Sequence, residues 1–140
     1  MRSKQYDILL VDDDPEDRLI LGEAFAELGC QDHVMMYDSG FSFLKDLEEL
    51  KSLSPLPFLI VLDHNLPGLT GLEILHTLKN DPVLSMVPAV MYSTGMSPKL
   101  RQQCRDIGGQ DCFEKGSTYN EIIAFAKALC QQAFKASSAT

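Results

Sequence analysis

Acids, hydroxyls, an amide and a lysine recur where apolar runs end: Asp12 and Asp13, Asp63 with Asn65, Ser93 and Thr94, and Lys115. The runs they follow are far apart in the chain. Carboxylates brought together oppose one another, by about 4 kcal/mol for a pair about 4 Å apart at an effective dielectric near 20. A group of three therefore calls for a cation. Donors that are all oxygen favour Mg²⁺ over Zn²⁺, and Mg²⁺ keeps several waters and takes phosphate oxygens. Acids, magnesium, a hydroxyl and an ammonium group in one place can neutralise a transferring phosphoryl group. Asp63 ends the most apolar run, Phe58–Leu62, and is the candidate nucleophile.

Bringing these residues together requires a sheet whose strands end at one edge. Tyr6–Val11, His33–Tyr37, Phe58–Leu62, Pro88–Tyr92 and Asp111–Glu114 read as strands. Phe58–Leu62, with no polar alternation, suits a parallel strand covered on both faces. Helices alternate with them. Asp14-Pro15-Glu16-Asp17 opens the first, which carries Leu21, Phe25 and Leu28 and stops at Gly29. Phe41, Leu44, Leu47 and Leu50 mark the second, and Ser52–Pro57 is a loop. Thr70 and Glu73 form a capping-box pattern ahead of Leu72, Leu75 and Leu78. Ser97-Pro98 opens the fourth helix, through Leu100, Cys104 and Ile107 to Gly108-Gly109. Thr118 and Glu121 repeat the capping box before Ile122, Phe125, Ala126 and Leu129. Ala136–Thr140 reads as a polar tail. The alternation predicts an α/β, doubly wound three-layer sandwich, a five-stranded parallel sheet flanked by five helices. Ligands of such sheets bind outside the carboxyl ends of the strands, where the chemistry-bearing residues fall.

Composition narrows the function. The chain has 140 residues, room for one domain. Twelve basic against twenty acidic residues, net charge −8, argue against direct nucleic-acid binding, which needs a basic face. No apolar run approaches membrane-spanning length, and three aspartates close the first one, so neither a membrane span nor a signal peptide is expected and the cytoplasm is the expected location. Cys30, Cys104, Cys112 and Cys130 form no CxxC pair and read as small apolar side chains. Met86, Met91 and Met96 read as packing residues, and His64 as a residue of the rim rather than a ligand. Nucleotide-binding GxxxxGK and GxGxxG patterns are absent.

Val11-Asp12-Asp13, Leu62-Asp63-His64-Asn65-Leu66-Pro67-Gly68 with Gly71, Ser93-Thr94 and Lys115 resemble the receiver domain of two-component response regulators. The resemblance covers about residues 5–131, leaving 132–140 as the end of the last helix and a tail. It implies a flavodoxin-like strand order 2-1-3-4-5. It implies that Asp63 takes a phosphoryl group from a histidine kinase or phosphotransfer protein. Asp13 and Asp63 would ligate Mg²⁺, Asp12 would assist through water, and Asn65 would add its backbone carbonyl. Ser93 would bond a phosphoryl oxygen, Lys115 would pair with the phosphate, and Thr94 would control access to Asp63. The expected output is a conformational change read by a downstream protein on the face of the fourth helix, fifth strand and fifth helix. A weak homodimer through the last helix belongs to the same expectation, as does a single-domain regulator that catalyses only its own phosphotransfer and dephosphorylation.

Two positions depart from the family pattern. Gly116 stands where proline usually follows the lysine, and Cys112 where Tyr or Phe usually precedes it by three. They motivate an alternative, an interaction domain that keeps the fold and works without phosphorylation. A third reading, a magnesium-dependent phosphatase, rests on a loose likeness of Asp63-His64-Asn65 to a DxD loop. It lacks the second aspartate, since Asn65 occupies that place.

Overall fold

Short aliphatic runs become strands here because helices cover both of their faces. A computed structural model of the chain describes residues 7–52 and 56–138, the last five as backbone alone. β1 is Ile8–Val11, β2 Val34–Tyr37, β3 Leu59–Asp63, β4 Ala89–Ser93 and β5 Asp111–Glu114. They pair in parallel in the order β2-β1-β3-β4-β5, the flavodoxin-like arrangement. Tyr6, the expected head of the first strand, and residues 53–55 of the expected loop lie outside the described residues.

The helices are α1 Pro15–Glu27, α2 Gly40–Lys45, α3 Leu47–Lys51, α4 Gly71–Lys79, α5 Pro98–Ile107 and α6 Tyr119–Ser138. The sequence predicts five, and the described chain has six because the second is broken at Asp46. The Asp46 N–H turns back to the Phe43 carbonyl at 3.1 Å, while its own carbonyl accepts Leu50 N–H at 2.9 Å and starts α3. Its carboxylate takes the Tyr37 hydroxyl at 2.8 Å, which ties the break to β2. Phe41, expected inside, is 63% exposed; Phe43 is inside instead. Ser39 caps α2, and Phe43, Leu47 and Leu50 follow at inward helical spacing. α6 also runs to Ser138, past the tail expected from Ala136. Among the described residues no helix is long and apolar enough to cross a membrane.

Side chains alternate across the sheet. Leu9, Val11, Ile60, Leu62, Ala89, Met91 and Cys112 face the layer of α2–α5. Ile8, Leu10, Leu59, Val61, Val90, Tyr92 and Phe113 face α1 and α6. The alternation carries Asp12, Asp63 and Lys115 toward the α1/α6 side. Met91 and Met96 pack as expected, but Met86 is largely exposed. All four cysteines are free and buried, and folding sets Cys104 against Cys112 and Cys30 against Cys130.

Candidate functional site

Register decides what meets at the carboxyl edge. Val11 lies beside Leu62, so Asp12 and Asp63 leave neighbouring strands at the same height. Asp63 itself pairs with Tyr92, and Ser93 with Glu114, one residue before Lys115. The turn after β3 is held tightly. A Cβ on Gly71 would stand 2.7 Å from the Asp63 carbonyl oxygen and 2.8 Å from His64 Cα, so only glycine lets α4 start against that strand tip. The Thr70–Glu73 capping box then fixes the first turn of α4, with Glu73 N–H on Thr70 Oγ1 at 3.2 Å and Thr70 N–H on Glu73 Oε1 at 3.0 Å.

Asp12 and Asp63 are both buried. Lys115 Nζ donates to Asp63 Oδ2 at 2.9 Å and to Asp17 Oδ2 at 3.0 Å, and stands 3.8 Å from Asp12 Oδ2. Burial alone would lower the Lys115 ammonium; hydrogen bonds to Asp63 and Asp17 outweigh it and hold it above the ordinary lysine value. Asp12 is pushed up to about 7, first by burial and then by the charge of Asp63, against the lowering effect of Tyr92, the Asp14 N–H and Lys115. The pocket thus holds more negative charge than one lysine balances.

Oxygens of Asp12, Asp17 and Asp63 lie within 4.8 Å of one another. By sequence alone Asp17 is a first-turn acid of α1. From that turn its carboxylate reaches Lys115 Nζ at the strand tip. Asp13, half-buried, lines the same open cleft with Asp14, Asp17, Asp63, Asn65, Thr94, Lys115, Gly116 and Ser117. An all-carboxylate cluster, buried on one side and open to a cleft on the other, suits a hard divalent ion with water left on it.

Asn65 connects the two loops. Its N–H donates to Asp63 Oδ1 at 2.8 Å. Its side-chain oxygen accepts from Ser93 Oγ at 3.1 Å, Thr94 N at 3.0 Å and Thr94 Oγ1 at 3.1 Å. Both hydroxyls are therefore held on Asn65 rather than on Asp63. His64 is half-buried, its Nδ1 has no hydrogen-bond partner, and burial lowers its pKa.

Gly116 has a local reason, and Cys112 is buried beside Cys104. A Cβ at Gly116 would stand 2.6 Å from Glu121 Cβ, so glycine lets the start of α6 close over the lysine. Cys112 faces the α5 side and accepts Arg101 on its carbonyl at 2.9 Å. Neither keeps Lys115 from the acids.

A family model described as the response regulator receiver domain matches residues 8–127. Two-component response regulator ARR15 of Arabidopsis thaliana is 30% identical over 126 residues, covering 81% of this chain and 57% of that protein. ORR1 of Oryza sativa subsp. japonica, another two-component response regulator, is 29% identical over 113 residues, 77% of this chain and 48% of that one. The chain spans about half the length of the curated relatives it matches. The crystal structure of the phosphorylated cyanobacterial phytochrome response regulator RcpA superposes with a TM-score of 0.77 at 26% identity, covering 90% of this chain and 91% of that one. The Mn²⁺-bound form of response regulator Rcp1 has the same fold, with a TM-score of 0.73 at 23% identity over 87% of this chain and 89% of that one. Sequence, sheet order and the acidic edge agree with that match over most of the chain, which belongs to the response regulator receiver domain family.

Proposed function

We propose that the chain is a phospho-accepting module that takes a phosphoryl group on Asp63 from a phosphohistidine of a histidine kinase or phosphotransfer protein. The observation that carries this reading is the Lys115 ammonium, held 2.9 Å from the buried Asp63 carboxylate between two further acids. An Asp63 oxygen attacks phosphorus, the P–N bond breaks, and the imidazole leaves as the acyl phosphate forms. Lys115 balances charge on the phosphoryl oxygens. Asp13, Asp63 and the Asn65 carbonyl, with Asp12 behind them, are the groups that would hold Mg²⁺. A bound Mg²⁺ supplies further charge neutralisation at the transferring phosphoryl group.

Ser93 and Thr94 leave Asn65 when Ser93 turns to a phosphoryl oxygen, and Thr94 controls entry to Asp63. That rearrangement is the signal, read by a downstream protein on the face of α5, β5 and α6. The chain acts in the cytoplasm, forms at most a weak dimer through α6, and turns over no external substrate.

The test is intact mass after incubation with Mg²⁺ and a small acyl phosphate. Wild type gains one phosphoryl group and Asp63→Asn gains none. A folded wild type that gains none overturns the reading, and continuous hydrolysis of a phosphate ester would replace it with the phosphatase.

A further inference from the structure

Tyr92 stands outside the roles assigned so far. It is 2% exposed and projects from β4 toward α1 and α6, on the side of the sheet that Asp12 and Asp63 share. Its hydroxyl donates to Asp12 Oδ2. Its ring lies under the lysine, with Lys115 Nζ 5.1 Å from the ring centroid. Phe125 of α6 packs against the same ring at 5.1 Å between centroids, and Phe113 of β5 packs on Phe125 at 5.1 Å.

A buried hydroxyl needs an acceptor, and any backbone carbonyl would serve. Tyr92 instead takes a carboxylate of the pocket. The other Asp12 oxygen, Oδ1, accepts the Asp14 N–H at 2.9 Å. Asp12 is thus pinned by two donors from two elements, against repulsion from Asp63. Without the phenol the carboxylate keeps one donor and is free to turn away. The Lys115 side chain is braced from below by the ring face. Burial and the charge of Asp12 hold the phenol well above the ordinary tyrosine range, so it remains a donor.

Resting on the receiver reading of this pocket, we propose that Tyr92 is a positioning residue for divalent-ion binding: through its hydroxyl on Asp12 and its ring under Lys115 it sets the acidic pocket's affinity for Mg²⁺ without touching the ion. Groups that orient metal-binding side chains change affinity by about ten- to a hundredfold when removed. A purely structural Tyr92 would change stability and leave affinity alone.

The experiment is Mg²⁺ titration of the full chain by calorimetry, for wild type, Tyr92→Phe, Asp12→Asn and the double variant. Tyr92→Phe is expected to bind Mg²⁺ about tenfold more weakly. In the Asp12→Asn background the same change is expected to add little, because Tyr92 acts through Asp12. Wild type carries a second readout that needs no variant. In spectra of ring-labelled tyrosine, Tyr92, identified by its proximity to Phe125, shifts on Mg²⁺ addition while Tyr37 does not. Affinity within twofold of wild type, fully additive effects, a Tyr92 signal indifferent to Mg²⁺, or a wild type that binds no Mg²⁺ at millimolar concentration overturns the proposal. Failure of the receiver reading looks different: wild type binds Mg²⁺ and Tyr92→Phe weakens it, yet Asp63 takes no phosphoryl group.

Discussion

The Asp12 carboxyl lies at the root of the pocket, where burial raises it to about 7. A carboxyl raised in the folded state contributes stability that is complete below the unfolded value near 3.8 and is lost as pH rises through about 7. In EDTA, wild type should therefore lose stability relative to Asp12→Asn between pH 4 and pH 8, by about 1–3 kcal/mol. Urea unfolding of the two proteins across that range measures the difference, and a constant difference refutes the assignment. Millimolar Mg²⁺ should reduce the gap by favouring the ionised wild-type carboxylate. Lys115→Met removes the ammonium from among three acids. It should lower stability in EDTA at pH 8 by about 2 kcal/mol, less than for a fully buried pair because Asp17 is partly exposed. Added Mg²⁺ should restore part of that loss. At this scale the sequence displayed Asp12, Asp13, Asp63 and Lys115 through their places after apolar runs. Asp17 was hidden because an acid in a first helical turn has an ordinary explanation in the helix dipole. Tyr92 was hidden because a strand aromatic looks the same whether its hydroxyl meets a backbone carbonyl or Asp12.

Capping chemistry was the most legible feature at the scale of elements. Asp14 caps α1, Ser97 caps α5, and Thr70 with Glu73 opens α4, each at the residue its pattern indicates. These signals are local, a side-chain oxygen and an N–H two or three residues on, so they survive without tertiary context. The break at Asp46 does not, since it involves the Tyr37 hydroxyl from another element. Gly71 is the element-scale hinge of the site. Gly71→Ala forces a methyl group onto the Asp63 carbonyl, backbone against which no side chain can yield. It should destabilise by about 1–3 kcal/mol in urea unfolding. It should also slow phosphoryl uptake, because the displaced atoms belong to Asp63 and His64. An unchanged midpoint would mean that α4 can shift without cost.

Across the whole molecule, two apolar layers on either side of the sheet bury the thiols that the sequence left scattered. Burial first, then the neighbouring thiol, raises Cys104 and Cys130 to about 12. Thiolate is the reactive form, so native protein at pH 8 should react with an aromatic disulfide reagent only as fast as it unfolds. All four cysteines should then react at once in denaturant. Fast labelling of any of them in native buffer would contradict their burial. The charge of −8 is likewise a property of the whole surface. Its functional concentration at one edge follows from strand order, which brings β1 and β3 side by side.

The sequence by itself determined the alternation of strands and helices, the caps, and which acids and which lysine stand at strand ends. All of these depend on neighbours within a few residues. Only the tertiary structure decided that Asp17 joins Asp12 and Asp63 around Lys115, that Ser93 and Thr94 rest on Asn65, and that Tyr92 holds Asp12. Those contacts join side chains up to 98 positions apart. Their partners are selected by sheet register and by which face each residue presents, and register is a relation between strands that no single segment encodes.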